Sequence, residues 1–186
     1  DDELKKNLKK FDALEIASGY IGSSLITKYK SQLLEIAQRG YCKILIGMIF
    51  NEGVSATQKT LLEDLDADLK SVNAKSGVYV TLNQYHGKVY RFQKDGLAKV
   101  YVGSSNFSMS GLKNNYEFNV LVTEEDSLSR VNDFMDYLFS DGCDFSAKLD
   151  EVELIVKGAR AEGGSKAATP SLKLSQFIIG ESEFPK

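Results

Sequence analysis

The sequence predicts an α/β fold in which helices flank a central, mixed but largely parallel sheet. Three apolar runs of strand length, over 13–22, 42–50 and 77–82, alternate with two segments in which apolar residues recur at helical spacing. A β-α-β-α-β order needs crossover connections, which produce parallel strands with helices packed on the sheet. The chain of 186 residues is long enough for one domain with a well-formed core.

The first half of the chain supplies the parallel strands. The run ALEIASGYIG predicts a strand that ends in a glycine-bearing turn, and CKILIGMIF is nearly continuous in apolar residues, as is typical of a strand buried on both faces. The first helix ends at Gly40, and its apolar face consists of Leu25, Ile26, Tyr29, Leu33, Ile36 and Ala37. The second helix precedes the strand GVYVTL, and its apolar face consists of Leu61, Leu62, Leu65, Leu69 and Val72.

The second half of the chain favours hairpins. HGKVYRF and LAKVYVG both predict strands, and the Asp95-Gly96 pair between them is typical of a two-residue hairpin turn. A strand over 116–122 and a helix over 126–140 follow. Residues 157–171 are small, polar and glycine-rich, so we predict a domain over 1–156 and a linker with a C-terminal extension over 157–186.

Composition excludes several classes of protein. No apolar run approaches the ~20 residues of a membrane span, and the first residues carry no signal-peptide pattern. Cys42 and Cys143 are far apart and have no histidine at metal-ligand spacing, which argues against a zinc site. A reduced, cytoplasmic setting is the simpler interpretation, and a disulfide between the two cysteines is the alternative.

The net charge of −3 is unevenly distributed. Residues 85–115, here called the basic segment, contain one acid, Asp95, and five basic residues: Lys88, Arg91, Lys94, Lys99 and Lys113. A basic segment in an acidic chain predicts a localised phosphate site rather than a broad nucleic-acid surface. Chance clustering on solvated strand faces is the alternative.

The one histidine of the chain, His86, stands two residues before Lys88. Side chains at i and i+2 of a strand share a face, so the imidazole and the ammonium are expected to lie together. Downstream, Gly103-Ser104-Ser105-Asn106 ends a strand with a loop of hydroxyl and amide groups, which suits phosphate oxygens. Glu117 follows within an otherwise aromatic and apolar strand, where a carboxylate needs a partner.

This pattern resembles the phospholipase D superfamily. The resemblance rests on His86-Gly87-Lys88, Gly103-Ser104-Ser105-Asn106 and Glu117, and it extends over most of residues 13–140. The family usually has an aspartate five residues after the lysine, where this chain has Gln93, and Asp95 lies in the turn. The pattern without aspartate but with a downstream glutamate is closer to the nuclease branch, in particular to type II restriction endonucleases of this fold. Glu117 is then the candidate to support His86, in its own subunit or from a partner.

The resemblance implies a phospholipase D-like sandwich that hydrolyses DNA phosphodiesters through a phosphohistidine. His86 would attack phosphorus, and a second, protonated imidazole would protonate the leaving oxygen. Lys88 and Asn106, with Ser104, would hold the non-bridging oxygens. No metal ion or other cofactor is expected. One motif in each chain implies a homodimer with a composite site, and target recognition would fall to a domain beyond the extension or to another subunit.

Each of these residues also has a simpler interpretation. An isolated strand histidine is more often a satisfied polar residue, Glu117 could be an edge-strand charge, and Ser104 could be a turn former. Tyr20 could line the cleft or belong to the core. Four strand aromatics could stack on bases, although such residues more often lie in the core: Tyr85, Tyr90, Phe92 and Tyr101. Two other functions stay open: a phospholipase D-type lipid phosphodiesterase, and a catalytically inactive module that binds nucleic acid.

Overall fold

The computed structural model describes residues 2–154 and 156–157, and in this part of the chain seven strands form one open sheet. The strands are β1 (Ala13–Ser18), β2 (Tyr41–Ile46), β3 (Gly77–Thr81), β4 (Lys88–Lys94), β5 (Leu97–Gly103), β6 (Asn119–Val122) and β7 (Ser146–Lys148). Their order is β6-β5-β4-β1-β2-β3-β7. The neighbours β1, β2 and β3 are parallel, whereas every other pair is antiparallel. The predicted α/β fold with a mixed sheet is confirmed.

Helices cover both faces of the sheet. The helices are α1 (Asp2–Lys10), α2 (Ser23–Arg39), the short α3 (Ile49–Glu52), α4 (Ala56–Val72) and α5 (Glu125–Leu138). Apolar residues of α1, α2 and α4 pack in the larger core with Leu14 and Ile16 of β1. Met135 and Leu138 of α5 pack in the second core with Ala17 of β1. Alternate residues of β1 therefore face opposite layers, and all six are buried.

The turn between β4 and β5 is the predicted hairpin. Lys94 pairs with Leu97, so Asp95 and Gly96 alone form the loop. Their φ angles are 50° and 77°, which are the positive values that a type I′ turn requires at both central positions. The glycine tolerates this conformation because it has no Cβ.

Several predicted boundaries are wrong. The second strand, predicted over 42–50, ends at Ile46, and α3 begins at Ile49. The first strand ends at Ser18, before the segment with Gly19 and Gly22, as predicted. The strand predicted over 116–122 starts only at Asn119. Neither α1 nor β7 was predicted: β7 is three residues long, and the nine residues of α1 are mostly charged, with Leu4 and Leu8 as their buried apolar residues. Of the predicted extension over 157–186, residue 157 alone lies within the described part.

Candidate active site

The predicted site residues converge at one end of the sheet. Because β1 and β4 are antiparallel, Ser18 at the end of β1 lies opposite Lys88 at the start of β4. His86 precedes β4, and the loop after Gly103 leaves β5 at the same end, since β5 is antiparallel to β4. Glu117 enters there as well, because Asn119 at the start of β6 pairs with Gly103. The sheet therefore brings three separate parts of the chain to the end of β1.

His86 and Lys88 are in direct contact. The Lys88 Nζ atom lies 2.9 Å from His86 Nδ1 and 3.3 Å from Nε2, and it also donates to the His86 carbonyl. An ammonium has no acceptor, so the ring nitrogen that receives this hydrogen bond must carry a lone pair. His86 is exposed whereas Lys88 is 4% exposed. Burial lowers the pKa of Lys88, and the charge of Glu117 opposes this shift.

Gly87 between these two residues is required by close packing. A Cβ at this position would lie 2.4 Å from the hydroxyl oxygen and 2.5 Å from Cζ of Tyr85, whose buried ring crosses the backbone. Tyr85 itself belongs to the core on the α5 face. The middle residue of the His-Gly-Lys motif is thus fixed by contact with a core ring rather than by chemistry.

Asn106 is held at the end of β1. Its Oδ1 accepts the backbone N–H of Tyr20 at 3.1 Å and lies 3.3 Å from the hydroxyl of Ser18. The Tyr20 ring in turn meets His86 edge-on, with ring centroids 5.5 Å apart. Tyr20 therefore lines the site, as one of its two interpretations predicted, and links Asn106 to the imidazole.

Ser104 and Glu117 form a pair beside this cluster. The Ser104 hydroxyl donates to a Glu117 carboxylate oxygen and accepts the backbone N–H of Phe118 at 3.0 Å. Asn115 donates to the other carboxylate oxygen at 3.3 Å. Glu117 is half-buried and precedes β6, so the expectation that it lies within a strand is wrong. In the described chain it makes no hydrogen bond to His86, so its supporting role stays a prediction.

The loop after β5 is held by hydrogen bonds from residues that the sequence did not single out for this role. The carbonyl of Ser105 accepts the Tyr90 hydroxyl at 2.8 Å, and its side chain accepts Asn119 Nδ2 at 2.6 Å. Gly103 allows the two backbones to approach closely, since a Cβ there would lie 2.2 Å from the Phe118 carbonyl oxygen. Ser18 also escaped the sequence analysis. Its position as the polar last residue of an apolar strand was the available signal.

Comparison with known proteins identifies the family. A family model described as the NgoFVII restriction endonuclease N-terminal PLD domain, where PLD denotes phospholipase D, matches residues 2–154. The chain belongs to this family. Comparison with curated proteins gives no significant match.

Two solved structures share the fold of this PLD domain. Polyphosphate kinase from Porphyromonas gingivalis is 10% identical with a TM-score of 0.55, over 79% of this chain and 22% of the kinase. NucT from Helicobacter pylori is 16% identical with a TM-score of 0.50, over 73% of this chain and 86% of NucT. At such identities the likeness concerns the fold alone. The chain spans about a fifth of the kinase.

Four of the five basic residues of the basic segment lie apart in the PLD domain, so the segment as a whole does not form the localised phosphate site that its charge predicted. Arg91 is 1% exposed and contacts Glu15 and Asp136 on the α5 face. Lys94 pairs with Asp12 at 3.2 Å, six residues and about 20 Å along β4 from Lys88. Lys99 pairs with Glu3 of α1. Of these four strand residues, Lys88 alone reaches the site. Arg91 lies on the opposite face of β4, Lys94 lies at the far end of β4, and Lys99 lies on β5 beside α1.

The position of the missing family aspartate lies far from the imidazole. The Gln93 side chain accepts the Tyr41 hydroxyl near the other end of β4, and Asp95 lies in the turn beyond it. Neither residue can support His86 from there.

Other features of the described residues bear on the earlier expectations. Cys42 is buried and Cys143 half-buried, and both are free, so the alternative of a disulfide is wrong. No group of three or more His, Cys, Asp or Glu side chains within the described ranges is arranged to hold a metal ion. None of the described helices is long and apolar enough to cross a membrane.

Proposed function

We propose that this chain is the catalytic domain of a metal-independent, type II restriction-like endonuclease that hydrolyses DNA through a phosphohistidine on His86. The observation that carries the proposal is the contact between an exposed imidazole and a buried ammonium, 2.9 Å apart. The imidazole is accessible to a phosphodiester, and its lone pair can act as the nucleophile once the Lys88 ammonium turns from the ring nitrogen to a phosphate oxygen. The ammonium behind it supplies positive charge where the phosphate must bind.

Lys88 and Asn106 are proposed to bind the non-bridging oxygens of the scissile phosphate. A buried charge acts more strongly than an exposed one, because little water screens it. Negative charge grows on these oxygens as the phosphorus is attacked, so donors that are already in place stabilise the transition state more than the substrate. Ser104 joins them once its hydroxyl turns from Glu117 to the phosphate.

The chemistry takes two displacement steps. In the first, an imidazole nitrogen of His86 forms a bond to phosphorus as the bond to the leaving oxygen breaks, and a second imidazolium gives that oxygen its proton. In the second, water attacks phosphorus and loses a proton to this second imidazole, now neutral, while the N–P bond breaks. Both imidazoles are then restored, and the net reaction is hydrolysis of one phosphodiester.

The second imidazole is proposed to come from another copy of the chain. The sequence contains one histidine, so a single chain cannot place imidazoles on both sides of phosphorus. A two-fold axis through the site would place the two copies of His86 face to face. Recognition of the target sequence is assigned to a further domain or to another subunit.

The experiment follows cleavage of plasmid DNA and of an end-labelled duplex, with and without EDTA. We expect cleavage to persist in EDTA and label to be retained on the protein after an alkaline denaturing quench, because N–P bonds survive alkali and break in acid. Gln84→Ala, an exposed substitution two residues from His86, is the control that keeps both signals, and His86→Ala loses both. A strict Mg²⁺ requirement of the chemical step, or label that is stable in acid, would exclude this mechanism.

A further inference from the structure

Ser18 is a buried polar residue at the point where the site segments meet. The residue is 1% exposed. Its hydroxyl donates to the Tyr20 carbonyl at 2.7 Å and accepts the Phe107 backbone N–H at 3.1 Å. The same oxygen lies 3.3 Å from Asn106 Oδ1. The one hydroxyl proton is used in the shorter bond to Tyr20, so Ser18 fixes Asn106 through the backbone of Tyr20 and Phe107. One side chain thus joins the end of β1 to the residues on either side of the Asn106–Phe107 peptide bond.

These contacts determine which end of the Asn106 amide faces the cleft. A backbone N–H can only donate, so the atom that faces the Tyr20 N–H at 3.1 Å must be the amide oxygen. The nitrogen must then point away from β1. In the described chain, Asn106 Nδ2 donates to no protein acceptor, and the residue is half-buried rather than enclosed. Both N–H groups are therefore available to an anion.

We propose that Ser18 is a positioning residue which, with the Tyr20 backbone N–H, holds Asn106 so that its amide nitrogen meets the scissile phosphate. This inference rests on the proposed function. An amide that could rotate would present its oxygen to the phosphate for part of the time, and two acceptors cannot share a hydrogen bond. Locking Oδ1 on the protein side removes that unproductive orientation.

Ser18 also couples the two phosphate contacts. It lies opposite Lys88 in the β1–β4 register, so the strand that positions the ammonium also positions the amide. The Tyr20 residue that follows in the same segment contacts the His86 ring. A shift at the end of β1 would therefore move the amide relative to both the nucleophile and the ammonium.

The first test compares Ser18→Ala with Ser76→Ala. Ser76 is also buried and accepts a backbone N–H, from Cys42 at 3.0 Å, but lies at the opposite end of the sheet. We expect Ser18→Ala to lower kcat for DNA cleavage by about 3- to 10-fold, the effect of one net hydrogen bond. Ser76→Ala should lose similar stability and keep the wild-type kcat. A Ser18→Ala kcat within twofold of wild type would overturn the proposal.

A double-mutant cycle separates positioning from general stability. If Ser18 acts through Asn106, Ser18→Ala should reduce kcat no further in an Asn106→Ala background. Equal losses in both backgrounds would show that Ser18 acts elsewhere. His86→Ala is assayed in parallel. If His86→Ala still cleaves DNA, the proposed function fails. If His86→Ala is inactive but Ser18→Ala lowers kcat equally in both backgrounds, the positioning role alone is refuted.

Asn106→Asp tests the amide orientation without a change in β1. It therefore tests the proposal even if Ser18→Ala does not fold. Aspartate keeps an oxygen acceptor for the Tyr20 N–H but replaces the amide donor by a second, negatively charged oxygen. We expect Asn106→Asp to melt near the wild-type temperature, above Asn106→Ala, and to be at least as inactive as Asn106→Ala. Near-wild-type cleavage by Asn106→Asp would overturn the proposal, because the amide nitrogen would then not be the phosphate contact.

Discussion

His86 projects into solvent while Lys88, two residues later, is buried, so their substitutions should separate catalysis from folding. His86→Ala removes a side chain that contributes little to packing. Loss of a nucleophile costs several orders of magnitude in rate, so we expect cleavage to disappear while the melting temperature changes little. Single-turnover cleavage and thermal unfolding measure the two effects. A folded His86→Ala variant that cuts at near the wild-type rate would refute the assignment.

Lys88→Met should abolish cleavage without weakening the fold. Burial lowers the pKa of Lys88 below its ordinary value of 10.5, so the folded chain binds this proton less tightly than the unfolded chain. The charged lysine therefore opposes folding at neutral pH, and this penalty fades as the pH rises from the lowered pKa to 10.5. We expect Lys88→Met to unfold at or above the wild-type temperature at pH 7, with the difference shrinking towards pH 10.5.

The control for Lys88→Met is Lys75→Met, which changes an exposed lysine at the opposite end of the sheet. It should keep both cleavage and the wild-type dependence of unfolding temperature on pH. A Lys88→Met variant that melts well below wild type at pH 7 would show that the ammonium stabilises the fold.

At the residue scale, the sequence predicted the contact between His86 and Lys88, but not the contacts that hold the surrounding residues. The spacing of His86 and Lys88 is local, and two residues of extended chain are enough to predict their contact. The orientation of Asn106 depends on Ser18, 88 residues away, and no local pattern shows that these two residues meet. The partner of Glu117 was likewise unpredictable, because it depends on how closely β5 and β6 approach each other.

At the scale of elements, one buried ion network connects α5 to the sheet. Arg91 of β4 donates to Glu15 of β1 at 2.6 Å and contacts Asp136 of α5 at 2.5 Å. Lys43 of β2 lies 3.6 Å from the other Glu15 oxygen. Glu15 and Arg91 are both nearly inaccessible, so each charge depends on the other for compensation.

Arg91→Met should therefore destabilise the domain by about 3–5 kcal/mol, because it leaves a buried carboxylate with Lys43 as its nearest cation. Burial raises the pKa of Glu15, and Arg91 and Lys43 oppose this shift. Without Arg91 the pKa rises further, so the folded variant binds a proton that the unfolded chain has already released. Its stability should fall as the pH rises from the unfolded value of 4.5 towards the folded one. Urea unfolding at pH 4.5 and 7 measures this.

Two further variants check the origin of the effect. Glu15→Gln in the Arg91→Met background should remove most of this pH dependence. Lys94→Met, which breaks a partly exposed ion pair with Asp12, should cost under about 1 kcal/mol. An Arg91→Met domain as stable as Lys94→Met would show that the network contributes little.

The same network explains why the basic segment misled the charge analysis. Lys88, Arg91 and Lys94 are close in sequence, but the first two lie on opposite faces of β4 and the third at its far end. Strand periodicity could have separated Arg91 from Lys88. Strand periodicity could not have shown that the guanidinium contacts a buried glutamate of β1 and an aspartate of α5, since those contacts depend on the order of the strands.

At the scale of the whole molecule, strand order creates the site. The sequence predicted β-α-β-α-β followed by hairpins, and this part of the fold follows from hydrophobic periodicity and turn residues. It did not show that β4 pairs with β1, which places the parallel half of the sheet beside the antiparallel half. That junction brings Ser18, His86 and Asn106 together.

The exposed position of His86 at this end of the sheet leads to a prediction about assembly. In-line displacement needs a nucleophile on one side of phosphorus and a proton donor on the other, and the chain has one histidine. A two-fold axis through this end would therefore complete the site with the His86 of a second copy.

The test is a mixed dimer of one wild-type protomer and one His86→Ala protomer, purified through two different affinity tags. We expect it to lose most cleavage activity, because one imidazole cannot both attack phosphorus and protonate the leaving oxygen. A dimer of two wild-type protomers carrying the same tags is the control and should retain full activity. Half activity in the mixed dimer would indicate two independent sites, and full activity from a demonstrated monomer would rule out a shared one.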